Sequence, residues 1–442
     1  MTAANPPSVV LDSPLPERLE PNRAAAVFAY GTAPGRPELA LGGVPLRPTV
    51  ARRSRDGRVR WWDLLRVPAL APGTAIELTA AGGVPVGTMS AAAHPTSAPA
   101  GTPQGRRIAI CMATYEPRED LLRIQIDSIR GQDTDDWHCV IVDDASGPAG
   151  AEVIERVVGD DERFTVHRQE TRAGFYGNFE RALRLVPADA QLIALADHDD
   201  RWHPGKLSTL AEAIGDAPLA YSDMRLTGED GHVFRDTLWR GRRNDHVDLT
   251  SMLVANTVTG ASSMIRRELL DVALPFPGPL GVQFHDHWLA CCALAVGGIA
   301  YVDRPLYDYV QHPGAVFGEV SGGARARRAP GAARAAYFYG YLGRALFAAT
   351  LLDRGDGSVE PAKRRALESF LRAERSPART ARLAARAIEH RLLPSSTLGT
   401  ESDLVAGILW RAAAVLGAAR DVSLPDPLAA QQARLRRWRS AL

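Results

Sequence analysis

The stretch LIALADHDDRWHP, residues 192–204, decides the fold. Its apolar run, Leu192 to Ala196, has the length of a buried strand. It breaks directly into Asp197, His198, Asp199 and Asp200, followed by Trp202. Carboxylates beside an apolar core carry a heavy desolvation cost unless something positive neutralises them. The natural partner is a divalent cation, and oxygen ligands suit Mg²⁺ or Mn²⁺. The carboxyl end of a strand is also where an open α/β sheet keeps its ligand. The loop therefore points to phosphate chemistry at a sheet edge.

The surrounding sequence supplies the rest of such a sheet. From Arg107 onward, strand patterns (RIAICMAT, HCVIVDDAS, FTVHRQ, QLIALAD, LAYSDMRL) alternate with helical ones. The helical segments are EDLLRIQIDSIRGQ, with Gly131 as its stop, then AEVIERVVGD, YGNFERALRLV and KLSTLAEAIGD. This order implies an α/β domain with a largely parallel sheet and helices on both faces. Three strands end in polar clusters: Thr114-Tyr115, Asp143-Asp144 and Asp197-His198-Asp199. Strand ends of one parallel sheet converge on one edge, so these clusters are expected to face one crevice. A lone Asp in such a place reads more simply as a helix cap; three clusters at successive strands favour the crevice.

The chain has 442 residues, enough for two or three domains, with 45% hydrophobic and 23% charged residues as in ordinary globular proteins. A net charge of +1 argues against a global field for nucleic acid or membrane. Residues 1–90 hold short alternating apolar pieces between Pro and Gly, which predicts a small β-sandwich or barrel, a module for carbohydrate binding or assembly. Within it, Trp61 and Trp62 either line a sugar-stacking surface or fill the core. Residues 91–106, rich in Ala, Pro, Ser, Thr and Gly, read as a linker. Residues 107–323 form the α/β domain, and 324–442 read as amphipathic helices. Residues 325–442 carry 21 Lys/Arg against 10 Asp/Glu. That excess is either a solvated helical face or a surface for acidic lipid head groups or acidic partners. Arg434, Arg436, Arg437, Trp438 and Arg439 mark its end as the segment to dock on the inner membrane surface. The four cysteines form no CxxC pair and read as buried apolar residues of a reducing compartment. Neither a signal peptide nor a transmembrane helix is expected. The expected location is the cytoplasm, with peripheral contact at the inner face of the plasma membrane as an option.

With these motifs in place, the chain resembles the family 2 glycosyltransferases of the GT-A fold, which use nucleotide-activated sugars. Seven elements carry the resemblance in order: AICMATYEP (109–117), VIVDDAS (140–146), RAGFYGNFERAL (172–183), LADHDDRW (195–202), NTVTGASSMIRREL (256–269), HDHWLA (285–290) and YVQHPGAVFG (309–318). The form DxDDxW followed by HDxW and QH looks most like the rhamnosyltransferase-like branch of bacterial surface-polysaccharide synthesis.

The resemblance implies roles. Thr114 and Tyr115 match the loop along the nucleotide, and Asp144 the carboxylate that accepts the pyrimidine N–H. Arg172, Gly174 and Asn178 match the segment closing over base and ribose, where Gly174 would allow close backbone approach. Here too Arg172 and Asn178 have a plainer reading, as residues that begin and cap a helix. Asp197 and Asp199 match the DxD motif, with Asp199 on Mn²⁺ or Mg²⁺ and Asp197 nearer the sugar or ribose. Asp200 reads as the cap of a helix begun by Pro204, and His198 as an exposed spacer. Asp286, at the head of an apolar helix, matches the general base, with His285 or His287 orienting it or touching the acceptor. His312 holds a place that can supply a metal or diphosphate contact, although Pro313-Gly314-Ala315 depart from the Gly and Asn usual after it. Asn256 to Ser263 would shape the acceptor side.

The activity so implied is metal-dependent, inverting transfer of a sugar from a UDP- or dTDP-sugar to a hydroxyl of a glycan or lipid-linked glycan. No nucleic-acid partner is implied, and a homo-oligomer is left open. A different class of reading is a non-catalytic carbohydrate-binding or scaffold protein with a degenerate transferase domain; the presence of both the DxD motif and Asp286 argues against it. A Rossmann oxidoreductase is disfavoured because no GxGxxG follows the first strand.

Overall fold

The computed structural model describes residues 9–51, 57–95, 102, 104–238, 246–312, 331–355, 357–392, 400–419, 421–430 and 432, without the side chains of 387–392 and 401. The segment 313–318 that follows His312 and the cluster Arg434 to Arg439 lie outside the described residues.

The strand-rich start holds β1 (Val10–Leu11), β2 (Arg18–Leu19), β3 (Ala25–Ala33), β4 (Leu39–Leu41), β5 (Val44–Pro45), β6 (Thr49–Val50), β7 (Val59–Val67), β8 (Ala75–Ala80) and β9 (Val84–Ala91). They form two sheets, ordered β1-β3-β7-β6 and β2-β9-β8-β4-β5. Side chains alternate across β7, and the two tryptophans go opposite ways. Trp61 fills the sandwich core with Leu65, Leu78 and Met89. Trp62 packs with the C-terminal helices, and its Nε1 donates to Tyr337 Oη at 2.9 Å. Both rings are fully buried, so the sugar-stacking reading of this pair is corrected: they are core.

The α/β domain follows as β10 (Ile108–Thr114), α1 (Glu119–Arg130), β11 (Trp137–Asp143), α2 (Pro148–Val158), β12 (Phe164–Arg168), α3 (Gly174–Arg184), β13 (Leu192–Asp197), β14 (Arg201–Trp202), α4 (Lys206–Ala213), β15 (Leu219–Gly228), β16 (Val233–Arg235), α5 (Leu249–Val254), β17 (Ser263–Arg266), α6 (Leu270–Ala273), α7 (His285–Val296) and β18 (Ile299–Gln311). The sheet order is β12-β11-β10-β13-β17-β15-β18-β14, with β16 on β15. The strands β12, β11, β10 and β13 are parallel, and their register sets Thr114 beside Asp143 and Ala113 beside Asp197. This alignment brings the polar strand ends onto one edge.

The other half of the sheet departs from the simple parallel expectation. β17 runs antiparallel between β13 and β15, and β14 runs antiparallel on β18. The long β18 was illegible because Asp303, Arg304 and Pro305 interrupt its apolar pattern; its pairing with β15 is irregular there. It matters because it ends at Gln311 and delivers His312 to the crevice.

The C-terminal region is helical: α8 (Ala332–Ala335) runs through a π-helical turn (Ala336–Leu342) into α9 (Gly343–Arg354), then α10 (Pro361–Leu371), α11 (Pro377–Leu392) and α12 (Thr400–Leu416). α9 is buried almost all round, as a helix enclosed by other elements must be. One continuous core joins Tyr30 and Trp62 of the sandwich, Trp288 and Leu289 of α7, and Phe338, Phe347 and Phe370 of the helices. The other face of the sheet has its own core around Ile110, Ile126, Ile141 and Trp202. Cys111, Cys139, Cys291 and Cys292 are free thiols buried in these cores. Among the described residues no helix is long and apolar enough to cross a membrane.

Trp62 sits where sandwich and helices meet, so Trp62→Ala should lower stability by about 3–5 kcal/mol through the cavity it leaves. A denaturant midpoint equal to that of the native chain would contradict this role.

Candidate functional site

At the end of β13 the apolar strand gives way to three carboxylates within four residues. Asp200 is fully buried; Oδ1 accepts from the Val310 N–H at 3.2 Å, and Oδ2 has no partner. It does not cap a helix, as its spacing predicts: α4 begins only at Lys206, with Gly205 as N-cap. His198 is not a free spacer either, since Nδ1 lies 3.2 Å from the Ala113 carbonyl of β10. Burial, then Asp199 and Asp197, push the Asp200 carboxyl well above the carboxylate range. Burial and the neighbouring Asp199 raise Asp197 to about 7, against the pull of His198 and Lys206.

Sequence reasoning missed Lys206. It reads as a surface cation on an amphipathic helix, but its ammonium is fully buried. Nζ donates to the Ala261 carbonyl and stands 3.5 Å over the Trp202 ring and 4.9 Å over that of Tyr307. Burial drives its pKa far down, while Asp200 and Asp197 act the other way. Lys206 thus lies beside the carboxylate loop, where burial favours its neutral amine and the two aspartates favour the charged form. The available signal was one lysine close in sequence to three aspartates.

Asp199 meets His312. Nε2 of His312 lies 2.8 Å from Asp199 Oδ2 across 113 residues of sequence, with the imidazole almost wholly buried. Burial opposes the ionisation of Asp199, but His198 and His312 outweigh it and hold the carboxyl below its ordinary value.

Along the parallel edge, Asp143 is buried and accepts from Ser146 N at 3.1 Å, from the Ser146 hydroxyl at 2.5 Å and from Thr114 Oγ1 at 3.4 Å. Asp144 is also buried; its carboxylate takes the Ala173 and Gly174 N–H groups, each at 2.7 Å, and Arg181 Nη1 at 3.4 Å. It therefore holds the start of α3. Arg172 reaches over the exposed Tyr115 ring at 3.7 Å, with Nε 3.9 Å from Asp144. Gly174 has φ +72° and open space where a Cβ would stand, so its conformation rather than crowding calls for glycine. Asn178 is turned away from the crevice: it is buried, and Nδ2 donates to the Val142 carbonyl at 2.8 Å, tying α3 to β11. Two non-glycine residues with left-handed backbone, Glu116 and Ala145, follow β10 and β11 at this edge, a conformation that costs about 1–3 kcal/mol and clusters at functional sites.

Asp286 occupies the first turn of α7. Asn256 Nδ2 donates to Oδ1 at 2.9 Å, His287 N to Oδ1 at 2.6 Å, and Gly260 N to Oδ2 at 3.1 Å. Burial raises its pKa to about 7 against those backbone donors, and the charge of Asp197 adds to the rise. The two carboxylates thus share one field although 89 residues separate them in sequence. His287 faces the interior, with Nε2 2.7 Å from the Met252 carbonyl, and Trp288 Nε1 donates to the Ala273 carbonyl at 2.8 Å. His285 lies flat on Phe179, with ring centroids 3.6 Å apart.

A mixed α/β sheet whose parallel strands end in carboxylates around one crevice, with a buried carboxylate opposite, defines the GT-A fold of the nucleotide-diphospho-sugar transferases. Residues 109–273 match the family model of glycosyl transferase family 2. Among curated relatives, the succinoglycan biosynthesis protein ExoW of Rhizobium meliloti is 28% identical over 131 residues, covering 29% of this chain and 40% of that protein. The GalNAc(5)-diNAcBac-PP-undecaprenol beta-1,3-glucosyltransferase of Campylobacter jejuni is 24% identical over 167 residues, 37% of this chain and 53% of that one. The chain thus spans less than two thirds of either relative. The crystal structure of S. aureus TarS 1–349 is similar with a TM-score of 0.43 and 18% identity, over 76% of this chain and 90% of that one.

The raised pKa of Asp286 links the site to stability. Its carboxyl ionises at about 7 in the folded chain against 3.8 ordinarily. Between those values the unfolded chain has released a proton that the folded chain keeps, so stability falls as pH rises through that window. Replacing Asp286 by Asn removes this dependence. The stability of Asp286→Asn relative to the native chain should rise by up to about 4 kcal/mol from pH 4 to pH 8. Denaturant melts giving a pH-independent difference would contradict the buried carboxyl.

Proposed function

We propose that this chain is an inverting, divalent-metal-dependent glycosyltransferase that moves a sugar from a UDP- or dTDP-sugar to a hydroxyl of a glycan or lipid-linked glycan in cell-surface polysaccharide synthesis. The observation that carries this reading is Asp286: a buried carboxylate, poised near 7, in the field of the donor-side Asp197. A general base works best with a pKa near the operating pH. The names of the relatives support the polysaccharide setting.

In this reading the nucleotide lies along Thr114, Tyr115 and Arg172, with Asp144 and Gly174 shaping the base side. Asn178 acts indirectly, by fixing α3 on the sheet. Asp286 takes the proton of the acceptor hydroxyl as that oxygen attacks the anomeric carbon. The bond to the diphosphate breaks on the opposite face and carries its electron pair away with the nucleotide.

Asp199 and His312 fit a divalent cation. A carboxylate oxygen and an imidazole nitrogen 2.8 Å apart stand about as far apart as two neighbouring ligands of an octahedral ion, and the set suits Mn²⁺ or Mg²⁺. Among the described residues no group of three or more His, Cys, Asp or Glu could hold a metal unaided, which leaves room for diphosphate oxygens. When bound, the ion neutralises charge developing on the leaving diphosphate. Peripheral contact with the inner membrane surface remains part of the proposal, on the basic balance of residues 325–442.

A thermal-shift screen of UDP- and dTDP-sugars with Mn²⁺ tests donor class directly. Asp286→Asn should keep donor affinity within about twofold and lose about 10²–10⁴-fold in turnover; near-normal turnover would remove the base assignment. Asp199→Ala should abolish the strengthening of nucleotide binding by Mn²⁺, and an unchanged effect of the metal would sink that role.

A further inference from the structure

The carboxylate of Asp286 is held unequally. Oδ1 receives two donors, Asn256 Nδ2 at 2.9 Å and His287 N at 2.6 Å, whereas among the described residues Oδ2 receives one from another residue, the Gly260 N–H at 3.1 Å. A carboxylate oxygen offers two lone pairs, so the pair of donors saturates Oδ1 and leaves one site open on Oδ2. Asn256 is itself locked. Its Oδ1 accepts from Val258 N at 3.0 Å and its Nδ2 also donates to the Val258 carbonyl. A reversed amide would lose both contacts, so the donor faces Asp286 whether or not substrate is present.

Gly260 is wedged against α7. A Cβ at this position would stand 2.5 Å from Nε2 of His285. His285 cannot retreat, because its ring lies on Phe179 of α3 with an interplanar angle of 21°. It has no hydrogen-bond partner at either ring nitrogen, and burial lowers its pKa to about 3, so it stays neutral at working pH. His285 therefore fills the space beside Gly260, where a residue without a Cβ brings its N–H to Asp286.

We propose that Asn256 and Gly260 are positioning residues for Asp286, and that they leave Oδ2 as the oxygen that receives the acceptor proton. This rests on the reading of Asp286 as the base. The acceptor O–H proton passes to Oδ2 as its oxygen bonds to the anomeric carbon and the bond to the diphosphate breaks. The ionisable groups around Asp286 are Asp197 from β13, neutral His285, and His287, which is turned to the Met252 carbonyl. The segment Asn256–Ser262 carries no charged side chain, so the pull of its donors on the carboxylate is that of neutral dipoles.

The test is the ionisation of Asp286, followed by carbon-13 resonance in the full chain labelled at aspartate Cγ and assigned by the signal lost in Asp286→Asn. Asn256→Ala should raise the midpoint by about one pH unit, and Asn256→Asp, which sets a second carboxylate against it, by about two or more. Gly260→Ala should shift it upward as well. Folding damage alone would not produce the order native, Ala, Asp. If the alanine variant does not fold, the isosteric aspartate carries the test. Midpoints within about 0.3 units in all folded variants would overturn the proposal. If instead the midpoints move but Asp286→Asn retains turnover, the base reading fails and not the geometry.

Discussion

The parallel register of β10, β11 and β13 is the constraint on which the rest of the molecule depends. It lays Thr114 beside Asp143 and, one residue lower on β10, Ala113 beside Asp197, immediately above a largely apolar sheet. Carboxylates there lose hydration, and each must find compensation from fixed neighbours. Asp143 finds Ser146, Asp144 finds the start of α3, and Asp197 shares its surroundings with Lys206 and His198. The contacts that make the edge tolerable are also those that shape the crevice. A shift of one residue in this register would separate the aspartates from their donors and turn strand side chains to the wrong face.

How much of this was readable follows from the range of the interactions. Strand ends are local: an apolar run broken by Asp is visible in a few residues, and so the sheet edge, the sandwich start and the helical tail could be read directly. The contact of Asp199 with His312 was suggested only by the resemblance, because nothing local in QHP says which strand end it will meet. Lys206 was missed for the opposite reason. Its local context, KLSTLAEAIGD, is that of a surface helix, and only the closure of Trp202, Tyr307 and Ala261 around it reveals a buried lysine. Asn178 misled in the same way. A polar residue one turn into a helix beside the crevice reads as a ligand contact, yet its amide completes the bonding of a buried strand carbonyl. Trp61 and Trp62 show the period-two rule at its plainest: adjacent residues on one strand must face opposite layers, and here both layers are core.

The unequal compensation across the site is informative in itself. Asp144 accepts three donors and shows complete structural employment. Asp200 keeps one oxygen unpartnered in the interior, and Asp286 keeps one oxygen half-satisfied. Natural folds satisfy most buried polar groups, so the open positions on Asp200 and Asp286 stand out beside Asp144.

Arg354, at the end of α9, has a consequence of a different kind. Its guanidinium donates to the carbonyls of Ala24 at 3.0 Å, Val272 at 3.2 Å and Pro275 at 2.6 Å. One half-buried cation from the last third of the chain thus terminates backbone from the first strand region and from the segment leading to α7. Such a knot makes the chain hard to divide. Any fragment lacking residues beyond about 350 would remove the donor shared by these carbonyls, and any fragment lacking the start would expose the charged head itself. The three regions read so separately in sequence are, in this respect, tied together at one side chain.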